Sequence, residues 1–291
     1  MPQLNQLSSA RLVKAMLIGE PGSGKTGSLA ALANAGYHLR LINLDPEGNV
    51  ASLAQFADGT SAANVHVVSL EDRMKVGSKR TEVIGVPSVF PRAFNLLDWW
   101  KGKEPDGTEF DLGKPSEWGA DTVLAIDGLS GLNTAIMNWI MAADGKMGQR
   151  PGVQHWEAAS SCEGMFLQKA AGQHIGCHVL VMSHIKLIGP PEIEEKDSED
   201  VREGKRAQAE KIPYRHYPRA IGRELPRHVG GLFPYNIVYR KVAKGRTVER
   251  KMLLAPQMDI DVKVPLVGLD AELPIESGLL TVFEKVKVGR G

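Results

Sequence analysis

Apolar residues along the chain fall into short unbroken runs that alternate with stretches of helical spacing. "LVKAMLI" (12–18), "HLRLINLD" (38–45), "VHVVSL" (65–70) and "HVLVMSH" (178–184) have the length and aliphatic content of buried strands. Helical spacing covers 25–35, 132–143 and 153–171, the last with Val153, Trp156, Ala159, Met165 and Phe166 near one face. A further helix is expected in 87–100, interrupted or started by Pro91. "TVLAIDGLSGL" (122–132) reads as a β-rich run containing an acidic residue and a glycine. Strand and helix patterns alternating in this way predict an α/β fold, a mostly parallel sheet with crossover helices. The Gly-, Pro- and charge-rich stretch 101–121 reads as a surface loop or small excursion. The pattern fails from 189 to about 234, and a terminal β-hairpin is expected around "AKGR" (243–246). The expected organisation is one domain over 1–291 with a charged insert at about 189–234.

The first strand turns abruptly into Gly19-Glu20-Pro21-Gly22-Ser23-Gly24-Lys25-Thr26, followed by Gly27 and an alanine-rich helix pattern. This is G-x-x-x-x-G-K-[ST] in the strand–loop–helix setting that a phosphate cradle needs. Glycines let backbone N–H groups aim at phosphate oxygens, and the helix amino end adds positive potential. Lys25 is the candidate for the β- and γ-phosphates of ATP, and Thr26 for Mg²⁺. A magnesium nucleotide site also uses a carboxylate at a neighbouring strand end, and Asp127, closing "TVLAID", is placed to serve. Asp45 and Glu47 in "LINLDPEG" are candidates to orient water beside the γ-phosphate, or members of a solvated turn. Ser183-His184 ends another strand, where a polar side chain can sense the γ-phosphate or simply satisfy a strand end. His174, Cys177 and His178 form a short H-x-x-C-H cluster that lacks the fourth ligand zinc requires.

Composition narrows the picture only a little. The 291 residues carry a formal net charge of +1, so any nucleic-acid-binding surface has to be local. No run reaches the about 18 apolar residues of a membrane span, and "MPQLNQLSSARLVK" lacks the apolar core of a secretory signal. Two cysteines, Cys162 and Cys177, fit a reducing compartment, and the expected location is cytoplasmic. Charge is concentrated in the insert. Residues 192–203 hold seven acidic and two basic side chains, and 205–228 hold seven Lys/Arg against Glu210 and Glu224. Lys186, Lys205, Arg206, Tyr214, Arg215, Tyr217 and Arg219 combine cations with rings, a composition suited to single-stranded DNA. A solvated lid or a subunit contact would explain the same segment. Lys146 and Arg150, after the Asp127 strand and its helix, are candidates for the first of two DNA-contacting loops.

Together the phosphate loop, Asp45-x-Glu47 and the Asp127 strand resemble the RecA-type branch of P-loop ATPases over about residues 12–256. The likeness is greatest to phage-encoded AAA/RecA-like proteins, including the Sak-type single-strand-annealing group. The resemblance implies a three-layer RecA-like core, Glu47 as the water-activating base, and His184 where a switch glutamine usually stands. It also implies ATP and Mg²⁺ as cofactors and self-association into a ring or filament, with a single-strand-binding protein as a further partner. In such assemblies a neighbour's cation often completes the site, and Arg240, Lys241, Lys244, Arg246, Arg250 and Lys251 are the candidates. No counterpart of the extra terminal domains of bacterial RecA is visible. The expected function is ATP-driven annealing or strand pairing on single-stranded DNA in phage recombination or repair. The alternatives are an ATPase switch, such as a helicase loader or packaging accessory, and a small-molecule kinase.

Overall fold

The computed structural model describes residues 12–45, 50–76, 81–104, 106–189, 193, 198–209, 214–222, 224–256 and 259–288. The first apolar run forms β1 (Lys14–Gly19) and passes through the glycine-rich loop into α1 (Lys25–Asn34). β2 (His38–Asn43), α2 (Ala51–Phe56) and β3 (Val65–Ser69) follow. A ribbon of β4 (Met74–Val76) and β5 (Thr81–Val83), helix α3 (Val89–Leu96) and a ribbon of β6 (Lys101–Lys103) and β7 (Glu109–Asp111) lead to β8 (Thr122–Asp127). Next come α4 (Leu129–Ala143), α5 (Val153–Ala171), β9 (His178–Ser183), β10 (Ile185–Ile188), α6 (Glu199–Ala209), β11 (Arg215–Pro218) and α7 (Leu225–Val229). The chain closes with β12 (Tyr235–Lys244), β13 (Thr247–Leu253), β14 (Glu272–Pro274) and α8 (Ile275–Val288).

Eight strands form one sheet in the order β14-β13-β12-β1-β9-β8-β2-β3. The six from β12 to β3 pair in parallel, while β13 and β14 extend the β12 edge through antiparallel pairs. β1, β8 and β9 are buried along their whole length, which is why their sequences are unbroken apolar runs rather than alternations. The two-residue period still sorts their side chains. Ala15 and Leu17 pack with α1 and α8 on one face, and Met16 and Ile18 with α3, α4 and α5 on the other. The result is the three-layer α/β fold that the alternating pattern predicts. No helix among the described residues is long and apolar enough to cross a membrane.

The structure corrects or sharpens several local expectations. The run 122–132 is a strand only to Asp127; Gly128, at φ 98°, breaks it and α4 begins at Leu129. Pro91 lies in the first turn of α3, where its missing N–H would have had no helical partner. The buried stripe of α5 runs through His155, Ala159, Glu163, Phe166 and Leu167, so Val153, Trp156 and Met165 face outward. Residues 101–121 contain the β6–β7 ribbon, and Trp100 beside it is fully buried. The irregular segment after His184 contains β10 paired with β11, with α6 between them. α8 lies beyond the region of resemblance, yet it packs against α1. Its Ile275, Leu279, Val282, Phe283 and Val286 follow i, i+4, i+7, i+8, i+11, and all but Ile275 are buried. Gly278 lets it close onto the sheet, since a Cβ there would stand 2.8 Å from Met252 Sδ.

Candidate functional site: a phosphate loop with a buried aspartate

The loop takes its shape from close approach. A Cβ on Gly19 would lie 2.6 Å from Ser23 Oγ and 2.8 Å from the Tyr239 carbonyl, so the loop folds back over the strand end only with glycine there. Gly24 caps α1 at φ 96°, a left-handed conformation that side chains resist. No acidic side chain occupies the first turn of α1, and its free N–H groups and positive dipole end remain for an external anion. Ser23 Oγ is buried, with no hydrogen-bond partner among the described residues. Lys25 Nζ donates to the carbonyls of Gly19 at 2.8 Å and Glu20 at 3.1 Å. Burial lowers its pKa to about 8, against the opposing pull of Asp127 and Asp45, so most of its charge survives at pH 7.

Asp127 stands at the buried end of β8, and Thr26 Oγ1 donates to its Oδ2 at 2.5 Å. Burial raises the Asp127 pKa above the ordinary carboxylate value, with Asp45 adding to the rise; Thr26 and Lys25 oppose it. Sheet register brings Asp45 here. β2 and β8 pair at Asn43 and Asp127, and the chain past β2 passes so close that a Cβ on Gly128 would lie 2.6 Å from Asp45 Oδ1. Glu47, two residues further on, lies outside the described residues.

β9 separates β1 from β8. Its end therefore emerges between the phosphate loop and Asp127, and His184 joins Lys25, Thr26, Asp45 and Asp127 in lining one cleft. Burial, then Lys25, lowers the His184 pKa and keeps the ring neutral at pH 7. Its Nδ1 has no hydrogen-bond partner among the described residues. The unpartnered Ser23 and His184 atoms, the free helix end and the Thr26–Asp127 pair are a donor and acceptor set that fits a magnesium-bound triphosphate.

The cleft, about 610 Å³, continues past the loop along Ala30, Ala31, Asn34, Ser52, Gln55 and Phe56. Phe56 is 62% exposed, and a Cβ on Gly27 would stand 3.3 Å from its ring. Arg250, Ile275 and Glu276 close the opposite side. The sequence reading missed Phe56, Ile275 and Glu276, because α2 carries no clear periodicity and α8 lies outside the resembling region. Arg250 was one of six indistinguishable cations.

The candidate DNA-contacting residues scatter. Arg206 faces Glu199 at 3.4 Å and Arg215 pairs with Asp261 at 2.9 Å, so part of their charge is answered within the chain. Lys205 lies on α6 near Arg206, Tyr217 on β11, and Tyr214 is exposed just before β11. Lys146 pairs with Asp144, and Arg150 lies in the loop before α5. Lys186 and Arg219, in contrast, meet in a groove of about 540 Å³ between α4, α5 and the β10–β11 ribbon, beside Trp156. Arg219 N–H donates to Ser183 Oγ at 2.8 Å and to the His184 carbonyl at 2.9 Å, tying the groove to the end of β9. In the H-x-x-C-H cluster, His178 uses one ring nitrogen on Val13 N–H and the other on the Ala120 carbonyl, which explains it as a buried structural histidine.

No protein-family model matches the chain, and no curated protein matches its sequence. Among solved structures the chain is similar to a KaiC-like protein from the hyperthermophilic archaeon Pyrococcus horikoshii, at 9% identity and a TM-score of 0.39, covering 90% of this chain and 84% of that one. It is also similar to the flagellar accessory protein FlaH from Methanocaldococcus jannaschii, at 8% identity and a TM-score of 0.34, covering 83% and 76%.

Proposed function

We propose that this chain is a RecA-like ATPase that hydrolyses magnesium-bound ATP and acts on single-stranded DNA, in recombination or repair of the phage kind. The observation that carries the nucleotide reading is the Thr26–Asp127 hydrogen bond, which joins the phosphate loop to a buried carboxylate at 2.5 Å. The loop N–H groups and Lys25 hold the phosphates. Thr26 and Asp127 are the residues that would hold the metal. A magnesium ion held there would supply positive charge against the phosphate oxygens. Glu47, following Asp45 out of β2, takes a proton from the attacking water, and His184 senses the γ-phosphate from the end of β9. The exposed ring of Phe56 and the apolar Ile275 offer a seat for the base.

The DNA reading is supported by the Trp156 groove, whose described lining contains Lys186 and Arg219 and no carboxylate. Cations there meet phosphates, and the half-exposed indole stacks with a base. The Arg219 hydrogen bonds give this groove a physical link to His184. Self-association into a ring or filament and cooperation with a single-strand-binding protein belong to the same reading.

The test is ATP turnover with and without oligo(dT), together with oligo(dT) binding across a salt series. We expect DNA-stimulated turnover and an affinity that falls steeply with salt. Turnover without salt-sensitive DNA binding would replace the DNA reading with an ATPase switch. Phosphoryl transfer to a small molecule in place of water would make the chain a kinase.

A further inference from the structure

The β12–β13 hairpin carries the cations that the reading above leaves without individual roles. Register separates two of them from the rest. Gly19 pairs with Tyr239, so β12 runs on beside the phosphate loop, and Lys241 stands directly opposite Arg250. Both lie two residues along from Tyr239 and Met252, on the face of the sheet that packs against α1 and α8. Lys241 Nζ donates to the Pro21 carbonyl at 2.8 Å and stands 3.6 Å from the Glu20 carboxylate. Arg250 Nε donates to the Gly22 carbonyl at 3.0 Å, and its Cδ would lie 3.4 Å from a Cβ on Gly24. Arg240 points the other way, to Asp259 at 3.0 Å, and Lys244 and Lys251 pair with Glu249 and Glu272.

These contacts differ in what they leave over. The charge of Lys241 is answered by Glu20. Arg250 makes no ion pair among the described residues, and it lines the nucleotide cleft. With Nε committed to the loop, the guanidinium keeps two Nη groups whose planar fork matches phosphate oxygens. We infer that Arg250 is a phosphate-binding residue acting within its own chain, contacting the terminal phosphates of the nucleotide held by the same loop. The inference rests on the ATP-binding reading. It replaces, for this residue, the expectation that a hairpin cation completes a neighbour's site.

The test is titration calorimetry of ATP and ADP, each with Mg²⁺, on the full chain and on Arg250→Ala and Arg250→Lys, with turnover of mixtures of Arg250→Ala and Lys25→Ala. Hydrogen bonds to charged groups lead us to expect a loss of ATP affinity in Arg250→Ala of roughly 10- to 100-fold, with a much smaller loss for ADP. Arg250→Lys is expected to fall between, keeping the charge without the fork. The mixture is expected to show no recovery of turnover. Equal losses for ATP and ADP would reduce Arg250 to a clamp on the loop and overturn the inference, as would unchanged ATP affinity. Recovery in the mixture would place the residue's action on a neighbouring subunit and overturn it too. A wild-type chain that binds neither nucleotide would overturn the ATP reading and this one with it, whereas wild-type binding with an unaltered variant overturns this one alone.

Discussion

At the scale of single residues, the cleft combines groups that burial drives in different directions. Desolvation raises Asp127 and lowers Lys25 and His184, so the charged forms of Asp127 and Lys25 lean on each other and on Thr26 rather than on water, while His184 is kept neutral. A base for water has to act among such groups with its charge intact, and in the proposed mechanism that base is Glu47. Glu47→Gln keeps the size and removes the basicity. We expect ATP affinity within a few-fold of wild type and turnover reduced by about 10²–10⁴, the usual contribution of a general base, measured by calorimetry and phosphate release. Unchanged turnover would remove Glu47 from the mechanism. Gly19 and Gly24 were legible as loop residues from the motif alone. That Gly19 is held by the Tyr239 carbonyl, from a strand more than 200 residues away, was not.

At the scale of elements, the nucleotide site depends on parts that the phosphate-loop motif does not include. α8 packs on α1, and its amino end brings Ile275 and Glu276 to the cleft. Phe283 anchors it, fully buried and in edge contact with Tyr37 at 5.4 Å between ring centres. Phe283→Ala is expected to destabilise the fold by about 3–5 kcal/mol, the range for buried aromatic truncations, read by chemical denaturation. A loss below about 1 kcal/mol would mean that α8 is not integral to this core. The apolar spacing of α8 was present in the sequence, but Gly278, Thr281 and three valines give it poor intrinsic helix propensity. Packing against α1 decides its state. The outward turn of Trp156 was likewise illegible, because an apolar stripe does not say which of its members a neighbouring helix covers.

At the scale of the whole molecule, a buried carboxyl links the sheet end to the groove. Glu163 on α5 is fully buried; its Oε2 accepts from Ile221 N–H at 2.7 Å, and the Asn133 amide, oriented with its nitrogen toward the carboxyl to satisfy both groups, donates to Oε1 at 2.7 Å. Burial pushes its pKa from 4.5 to about 8. The native state therefore binds more protons than the unfolded chain between these values. The stabilisation is fully present below pH 4.5 and is lost as pH rises through about 8. Glu163→Gln keeps the size and one acceptor, and it should flatten the fall in stability over that window, measured by denaturation at a series of pH values. A profile parallel to wild type would refute the raised pKa. Because Ile221 lies two residues after Arg219, the carboxyl fixes the wall of the Trp156 groove at one end while Ser183 and His184 fix the other.

The sequence by itself determined the phosphate loop, the buried parallel strands and the aspartate at the end of β8. These are local features: glycine conformations, unbroken apolar runs and a strand end, each written within a dozen residues. Only the tertiary structure decided which side chains share the cleft. β9 lies between β1 and β8, which brings His184 between the loop and Asp127. Hairpin register separates Arg250 and Lys241 from their neighbours. α8 folds back from the end of the chain to cover α1. Strand order and register depend on contacts between residues far apart in the chain, and no local period encodes them.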